Sequence, residues 1–307
     1  MNLGSNKNKI RQSKAAKNTS MMSIVLIVVV FIFVKFIGGN ENLKEIQSGD
    51  LLQVNFINVG QGDSILIKNP QDEFMLIDTG TSDQYDTLRA YLTSEKVEKF
   101  AYVIFTHPHA DHIGSADKII KEYDVETVIM PRATTNTATF ARLLDELEAK
   151  RIGITPAEAG DEYIFGTAKF LIVAPMKEDY GNLNDHSVVV KMIFGNNTFL
   201  FTGDMEKTSE DDVLDFCERN GENIISADLL KVAHHGSATS STKKFLELVK
   251  PKIAVILSDG KSYGHPHADV LERLDNIGAL IARSDLHGNI VVSSDGRTLS
   301  IESEIVP

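Results

Sequence analysis

The sequence predicts an α+β fold with two β-sheets and helices on their outer faces, preceded by one N-terminal transmembrane helix. From residue 50 onward, short apolar runs typical of strands alternate with amphipathic segments typical of helices. Residues 21–37 form a 17-residue apolar run with one charge, which is close to the roughly 17–25 residues that span a bilayer. The 307 residues are enough for one core, and the single cysteine, Cys217, excludes an internal disulfide framework.

The N-terminal segment predicts how the chain is organised and where it lies. We predict a basic cytoplasmic tail over 1–20, a transmembrane anchor over 21–39, a polar linker over 40–49 and a single folded domain over 50–307. A basic flank before a first apolar helix favours a cytoplasmic N-terminus, so the predicted localisation is a single-pass membrane protein with an extracytoplasmic domain. The alternative is a cleaved signal peptide, although no Ala-x-Ala site follows the run.

The charge balance limits the kinds of partner. Six of the 31 basic residues and none of the 43 acidic residues lie before residue 40, so the remaining chain carries a net charge of −18. This charge argues against loose binding of polyanions through a broad basic surface, but not against local binding of a phosphate group by metal ions. Apart from the membrane, no stable protein partner is indicated.

The elements follow one another in a regular order. Strands are predicted at 51–57, 64–67, 74–77, 101–105, 126–130, 187–194, 198–201, 228–232, 252–257, 279–283, 289–293 and 298–302, with a strand group at 161–174. Helices are predicted at 83–94, 115–123, 137–150, 206–219, 241–249 and 268–276. Apolar residues of 137–150 follow the i, i+3, i+4, i+7 spacing of one helix face, and 195–197 is a hairpin turn signal.

The densest group of metal-binding side chains is the segment His107-Pro108-His109-Ala110-Asp111-His112, directly after the predicted strand 101–105. Imidazole nitrogen and carboxylate oxygen are ligands for zinc and similar metals. Because a loop can direct alternate residues to different sides, this segment can serve two metals. Asp78 and Asp204 also follow predicted strands, and eight of the nine histidines fall in four short stretches.

Seven short motifs together resemble the metallo-β-lactamase fold superfamily, and within it the extracytoplasmic hydrolase domain of ComEC-type DNA-uptake proteins and their stand-alone relatives. In chain order they are Phe56–Ser64 (FINVGQGDS), Leu76–Gly80 (LIDTG), Thr106–Gly114 (THPHADHIG), Asn184–Ser187 (NDHS), Phe201–Asp204 (FTGD), Leu229–Ser237 (LLKVAHHGS) and Tyr263–Pro266 (YGHP). The resemblance covers about residues 50–302 and implies a four-layer αββα sandwich.

The resemblance also implies a ligand set for two divalent metal ions, with zinc as the first expectation and manganese as the alternative. The first metal would be bound by His107, His109 and His186, and the second by Asp111, His112 and His235. Asp204 would bridge the two metals, and a bridging hydroxide would attack the substrate. Asp78 is expected to orient ligands rather than to bind metal.

Several residues keep a second interpretation. Close relatives often have Asn where this chain has His186, which could instead be a hydrogen-bonding loop histidine. Adjacent residues on an extended strand end point opposite ways, so His235 is preferred over His234 as the ligand. Catalytic roles are expected for Asp111 and for His265, the latter as a proton donor or substrate contact.

Three other polar residues have a structural alternative to a role in the site. Lys231 and Ser237 could contact an anionic group of the substrate. Alternatively, the Lys231 side chain is solvated and Ser237 caps a helix. Asp204 could be the N-cap of a helix that begins near Met205.

The expected function is a metal-dependent hydrolase acting on a phosphodiester, such as DNA or a cell-wall polymer. The alternatives are a lactone or β-lactam hydrolase, and a non-catalytic binding module on the same fold.

Overall fold

The computed structural model describes residues 51–305. The strands are β1 (Leu52–Phe56), β2 (Ile65–Lys68), β3 (Phe74–Ile77), β4 (Lys99–Ile104), β5 (Asp124–Met130), β6 (Ile154–Pro156), β7 (Glu162–Phe165), β8 (Ala168–Ala174), β9 (Val189–Phe194), β10 (Asn197–Phe201), β11 (Leu229–Lys231), β12 (Ile253–Ile256), β13 (Leu280–Arg283), β14 (Ile290–Ser294) and β15 (Leu299–Ser303). The helices are α1 (Tyr85–Ser94), α2 (Ala110–Ile113), α3 (Ala116–Glu122), α4 (Ala138–Lys150), α5 (Lys207–Asn220), α6 (Lys243–Val249), α7 (Ala268–Asn276) and α8 (Ser284–His287). Short 3₁₀ turns lie at 82–84, 183–186, 233–236 and 262–264.

The strands form two mixed sheets. The first has eight strands in the order β15-β14-β1-β2-β3-β4-β5-β6, and the second has seven in the order β13-β12-β11-β10-β9-β8-β7. Strands β3 to β6 are mutually parallel, as are β10 to β13, whereas the remaining neighbours are antiparallel.

Side-chain alternation along the strands divides the core into three layers. In β2, Ile65 and Ile67 pack into the central layer between the sheets, while Leu66 packs into the layer beneath α1, α3 and α4. In β10, Phe199 packs into the central layer and Leu200 into the layer beneath α5, α6 and α7. Since successive strand residues point to opposite faces, each central strand is apolar on both faces and a helix layer covers each sheet. The predicted αββα sandwich is confirmed.

Most predicted elements are present, with a few differences in short segments. The loop expected at 110–113 is the helical turn α2, and both β6 and α8 were missed because three or four residues carry too little periodicity to be read. The strand group at 161–174 is the hairpin β7–β8.

The N-terminal predictions fall outside the described residues. The tail over 1–20, the anchor over 21–39 and the linker over 40–49 therefore stay predictions. Within residues 51–305, none of the helices combines the length and the apolar character that crossing a bilayer requires.

The direction of the strands places several loops at one edge. β1 and β3 run the same way because each is antiparallel to β2, and β4 is parallel to β3. In the other sheet, β10, β11 and β12 are also mutually parallel. The segments that follow these strands carry the histidine and aspartate motifs, and we refer to this side of the sandwich as the site edge.

We predict a large stability loss for Phe56→Ala. Phe56 is fully buried and faces Phe201 across the two sheets, with ring centroids 6.4 Å apart. Truncation leaves a cavity in the central layer, and the free energy of unfolding should fall by about 3–5 kcal/mol in urea titrations. The control Ile164→Ala removes a side chain that is 69% exposed, and it should change stability by less than about 0.5 kcal/mol. Equal effects would contradict the layer assignment.

Candidate metal centre

One group of metal-binding side chains lies where β3, β4, β10 and β11 end. Asp111, His112, Asp204 and His235 each offer a ligand atom, and these atoms all lie within 4.8 Å of one another. Asp204 Oδ2 is 3.2 Å from His112 Nε2 and 3.4 Å from His235 Nε2. Asp111 Oδ2 is 3.3 Å from the same His235 nitrogen. Two imidazoles and two carboxylates thus converge as a ligand set that suits a divalent metal.

Beside this group lies the pair His107 and His109. His107 Nε2 and His109 Nδ1 are 2.9 Å apart, and the rings of His107 and His112 have centroids 4.1 Å apart. The pair therefore adjoins the first group.

Outer contacts leave the ligand nitrogens free to face a metal. His112 Nδ1 lies 2.7 Å from Asp78 Oδ2, and Asp78 also accepts hydrogen bonds from the backbone N and the hydroxyl of Thr106. His235 Nδ1 lies 2.9 Å from the carbonyl oxygen of Leu257. Once the rings are deprotonated, such contacts fix the tautomer in which Nε2 carries the free lone pair. The structure thus places Asp78 behind a ligand.

The polar atoms at the centre fit a cation. Asp204 Oδ1 is buried without a hydrogen-bond partner, and so is His112 Nε2 by hydrogen-bond geometry. Buried polar atoms are normally satisfied, so these orphaned atoms need a partner that protein groups do not supply. A divalent cation meets that need.

Electrostatics at the centre favour metal uptake with proton release. Burial alone would lower the pKa of His235, but the carboxylate of Asp204, a hydrogen bond to Asp111 and the nearby carboxylate of Asp63 raise it to about 9. Burial likewise acts against protonation of His112, but Asp204, Asp78 and Asp111 raise its pKa well above the usual value. In the metal-free protein, protons therefore occupy positions that a cation would take.

The pair His234–His235 does not lie on an extended strand, which corrects the basis on which His235 was preferred. Both residues lie in the 3₁₀ turn after β11 with left-handed backbones, at φ 49° and 52°. Their rings therefore point to the same region, with centroids 6.1 Å apart. His234 Nε2 is 3.7 Å from Asp204 Oδ2, and its Nδ1 is 3.0 Å from Glu206 Oε1, although out of line for a hydrogen bond.

His186 is the one predicted ligand that lies apart from the others. Its Nε2 is 3.2 Å from the backbone nitrogen of Tyr180 and 3.3 Å from the carbonyl oxygen of the same residue. It lines a cavity of about 250 Å³ together with Arg132 and Lys177. The prediction that His186 binds metal is not supported by these contacts and remains a prediction.

Asn184, two residues earlier, is brought to the site instead. It contacts the imidazole of His109, its Nδ2 donates to Glu206 Oε1, and its buried Oδ1 has no hydrogen-bond partner. An amide oxygen can ligate a metal, so Asn184 is a candidate third group beside His107 and His109. Its place in the motif Asn184–Ser187 was the only signal in the sequence.

His265 lies at the rim of the centre. Its ring is 5.4 Å from that of His234 and 6.3 Å from that of His235, and its Nδ1 is 3.4 Å from Gln61 Nε2. Burial, with the neighbouring charges of His234 and His235, lowers the pKa of His265 to about 4. A neutral imidazole at this place can accept a proton or donate a hydrogen bond, whereas a proton donor would first have to be charged.

Three secondary interpretations are corrected by the structure. Lys231 is fully buried, so it is not a solvated lysine. Ser237 bonds Thr239 Oγ1 through its own hydroxyl rather than capping a helix. Asp204 does not cap a helix, because α5 begins at Lys207 and has Glu206 at its N-cap.

We predict that metal uptake releases protons and strengthens as pH rises. Each ligand imidazole that is protonated in the metal-free protein must lose its proton, and for His235 this exchange ends near its pKa of about 9. Between pH 7 and 9, the apparent Zn²⁺ affinity should rise roughly tenfold per pH unit for each proton exchanged. Competition with a chelator at several pH values measures the affinity, and calorimetry in two buffers counts the protons.

The metal-free protein provides the matching control. A folded-state pKa above the unfolded value stabilises the protein below pH 6.5, and that contribution is lost as pH rises through about 9. The free energy of unfolding of the metal-free protein should therefore fall over this window while Zn²⁺ affinity rises. Uptake without proton release would contradict the protonation of His112 and His235.

Comparison with known proteins identifies the family. The sequence model of the metallo-beta-lactamase superfamily matches residues 57–261. ComE operon protein 3 of Bacillus subtilis is 30% identical over 257 residues, covering 78% of this chain and 32% of that protein. Recombination protein 2 of Haemophilus influenzae is 29% identical over 251 residues, covering 78% of this chain and 29% of that protein. The chain thus spans about a third of the length of these relatives.

Solved structures show the same fold at low sequence identity. The metallo-beta-lactamase fold protein YhfI of Bacillus subtilis superposes with a TM-score of 0.53 at 13% identity, covering 80% of this chain and all of that one. CmlA, a diiron beta-hydroxylase from Streptomyces venezuelae, gives a TM-score of 0.53 at 14% identity, covering 78% and 53% of the two chains. With the fold, the motifs and the family match in agreement, this chain belongs to the metallo-beta-lactamase superfamily and is a relative of ComEC-type competence proteins.

Proposed function

We propose that the protein is a membrane-anchored, extracytoplasmic phosphodiesterase, with nuclease activity on DNA as the favoured form. The observation that carries this proposal is the pair of adjoining ligand groups at the site edge, one around His107 and His109 and the other around Asp204 and His235. Two divalent metals in such a site would activate water near neutral pH and stabilise both the attacking and the leaving oxygens of a phosphodiester.

The side chains divide the work by position. His107, His109 and Asn184 would hold one metal, and Asp111, His112 and His235 the other, with Asp204 between them. Asp78 and the Leu257 carbonyl hold imidazole rings in place, so the ligands are oriented before a metal or substrate arrives.

An exposed aromatic residue at the rim of the centre favours a substrate that contains nucleobases. Tyr263 is 87% exposed, and its ring centroid is 5.9 Å from that of His265. An exposed aromatic ring beside a phosphodiesterase site can stack on a nucleobase, and such stacking contributes about 1–3 kcal/mol per base. The names of two relatives, a competence protein of Neisseria gonorrhoeae and a recombination protein, also favour DNA over a cell-wall polymer.

We expect the metal-loaded protein to cleave bis-p-nitrophenyl phosphate and single-stranded DNA faster than p-nitrophenylphosphocholine or nitrocefin. Asp204→Asn should lower turnover by at least about a hundredfold and reduce bound metal, because the shared carboxylate loses its charge. Tyr263→Ala should raise KM for DNA, whereas Tyr263→Phe keeps the ring and should not.

The control Asp215→Asn makes the same change on an exposed part of α5 and should leave both turnover and metal content unaltered. Cleavage of nitrocefin alone, or turnover that survives Asp204→Asn, would refute the proposed phosphodiesterase.

The membrane location calls for a separate test. The apolar run at 21–37 and its basic flank support an anchor with the catalytic domain outside the cytoplasm. Protease added to intact cells should digest the domain, while a cytoplasmic marker protein in the same cells stays whole. Digestion only after lysis would overturn the proposed orientation.

A further inference from the structure

Lys231 is a charged side chain buried next to the metal centre. It is the last residue of β11, and its side chain is fully shielded from solvent. Its Nζ forms an ion pair with Asp63 Oδ2, lies 3.2 Å from the Gly203 carbonyl oxygen, and lies 4.0 Å from Asp204 Oδ1. A buried ammonium requires an anionic partner, and here two carboxylates lie within reach.

Asp63 is held in place by its own backbone. Its N–H donates a hydrogen bond to the Asp111 carbonyl oxygen at 3.2 Å. The preceding residue, Gly62, packs so closely on the same oxygen that a Cβ atom at this position would lie only 2.5 Å from it. The carboxylate is 1% exposed, with Oδ1 3.4 Å from His235 Nδ1. Asp63 is therefore fixed between Lys231 and His235.

The Lys231–Asp63 pair adjoins two possible groupings of metal ligands. Besides the group that contains Asp204, the oxygens and nitrogen of Asp63, Asp78 and His112 also lie close enough together for a metal. In that second grouping Lys231 is paired with Asp63 Oδ2 and Asp78 is bonded to Thr106 and His112, which leaves Asp63 Oδ1 without a hydrogen bond. Asp204 Oδ1, which lies 4.0 Å from the Lys231 ammonium, also lacks a hydrogen bond, so this oxygen is open to a metal ion or, without Asp63, to Lys231.

We propose that Asp63 is a positioning residue that holds the Lys231 ammonium away from Asp204, so that both oxygens of Asp204 stay available to metal ions. Without the Asp63 charge, the nearest carboxylate for Lys231 is Asp204 itself. Lys231 would then compete with the metals for their shared ligand. The proposal depends on metal binding by the site and not on the identity of the substrate.

Asp63→Asn tests the proposal because it preserves shape and removes the charge. We expect Zn²⁺ affinity, measured by chelator competition and by elemental analysis, to fall at least about tenfold, the order found for partners behind metal ligands. The decisive variant is Asp63→Asn with Lys231→Met, which also removes the competing ammonium. Its Zn²⁺ affinity should return to within about threefold of the unaltered protein.

Other outcomes would overturn the proposal. If the double variant binds Zn²⁺ as weakly as Asp63→Asn, Asp63 acts through His235 and not through Lys231. Lys231→Met alone should bind Zn²⁺ at least as well as the unaltered protein, so weaker binding would also contradict the competition. A merely structural pair would instead lower the melting temperature of both single variants with no rescue of metal binding in the double variant. Absorption bands of bound Co²⁺ report ligand geometry independently of activity.

Discussion

Four carboxylates at one edge of the sandwich must be compensated by hydrogen-bond donors or positive charges, and the rest of the structure depends on this constraint. Asp63, Asp78 and Asp204 are buried to 1% exposure or less, and Asp111 is partly exposed. Burying a charge without a partner costs several kcal/mol, so each carboxylate needs a hydrogen-bond donor or a positive charge beside it. Asp78 accepts hydrogen bonds from Thr106 and lies beside the His112 imidazole. Asp63 is paired with the Lys231 ammonium, and Asp111 and Asp204 lie among imidazoles. The strand ends must converge here for those partners to meet.

Most of the fold can be predicted from the sequence because the apolar residues of the strands follow a regular pattern. Residues such as Ile65, Leu66 and Ile67 face alternate layers, and that alternation is visible before any coordinates. What escaped prediction was short: β6 and α8 contain three and four residues, too few for a period to be recognised. The structure of residues 1–50 lies outside the described part of the chain, so the anchor stays a prediction.

At the site, the sequence indicated which motifs meet but not how each side chain is turned. The THPHADH segment and the aspartates after β3 and β10 lie close together. The backbone conformation of the 3₁₀ turns could not be predicted from the sequence. In the turn at 183–186 this conformation places Asn184 beside His109 and turns His186 towards Tyr180. The turn at 233–236 likewise directs His234 towards the same region as His235. Lys231 looked like a surface residue, because nothing local shows that its strand is covered on both faces.

The direction of β1 has a consequence for access to the centre. Leu52 begins the strand and Phe56 ends it, and the loop that carries Asp63 leaves from the Phe56 end. The preceding chain therefore joins the domain at the opposite pole, separated from the metal centre by the length of the strand, roughly 17 Å for five residues. Under the proposed membrane attachment, the anchor would therefore join the domain at the end of β1 that lies away from the site edge, and the point of attachment would not itself block the approach of a long polymer to the metal centre.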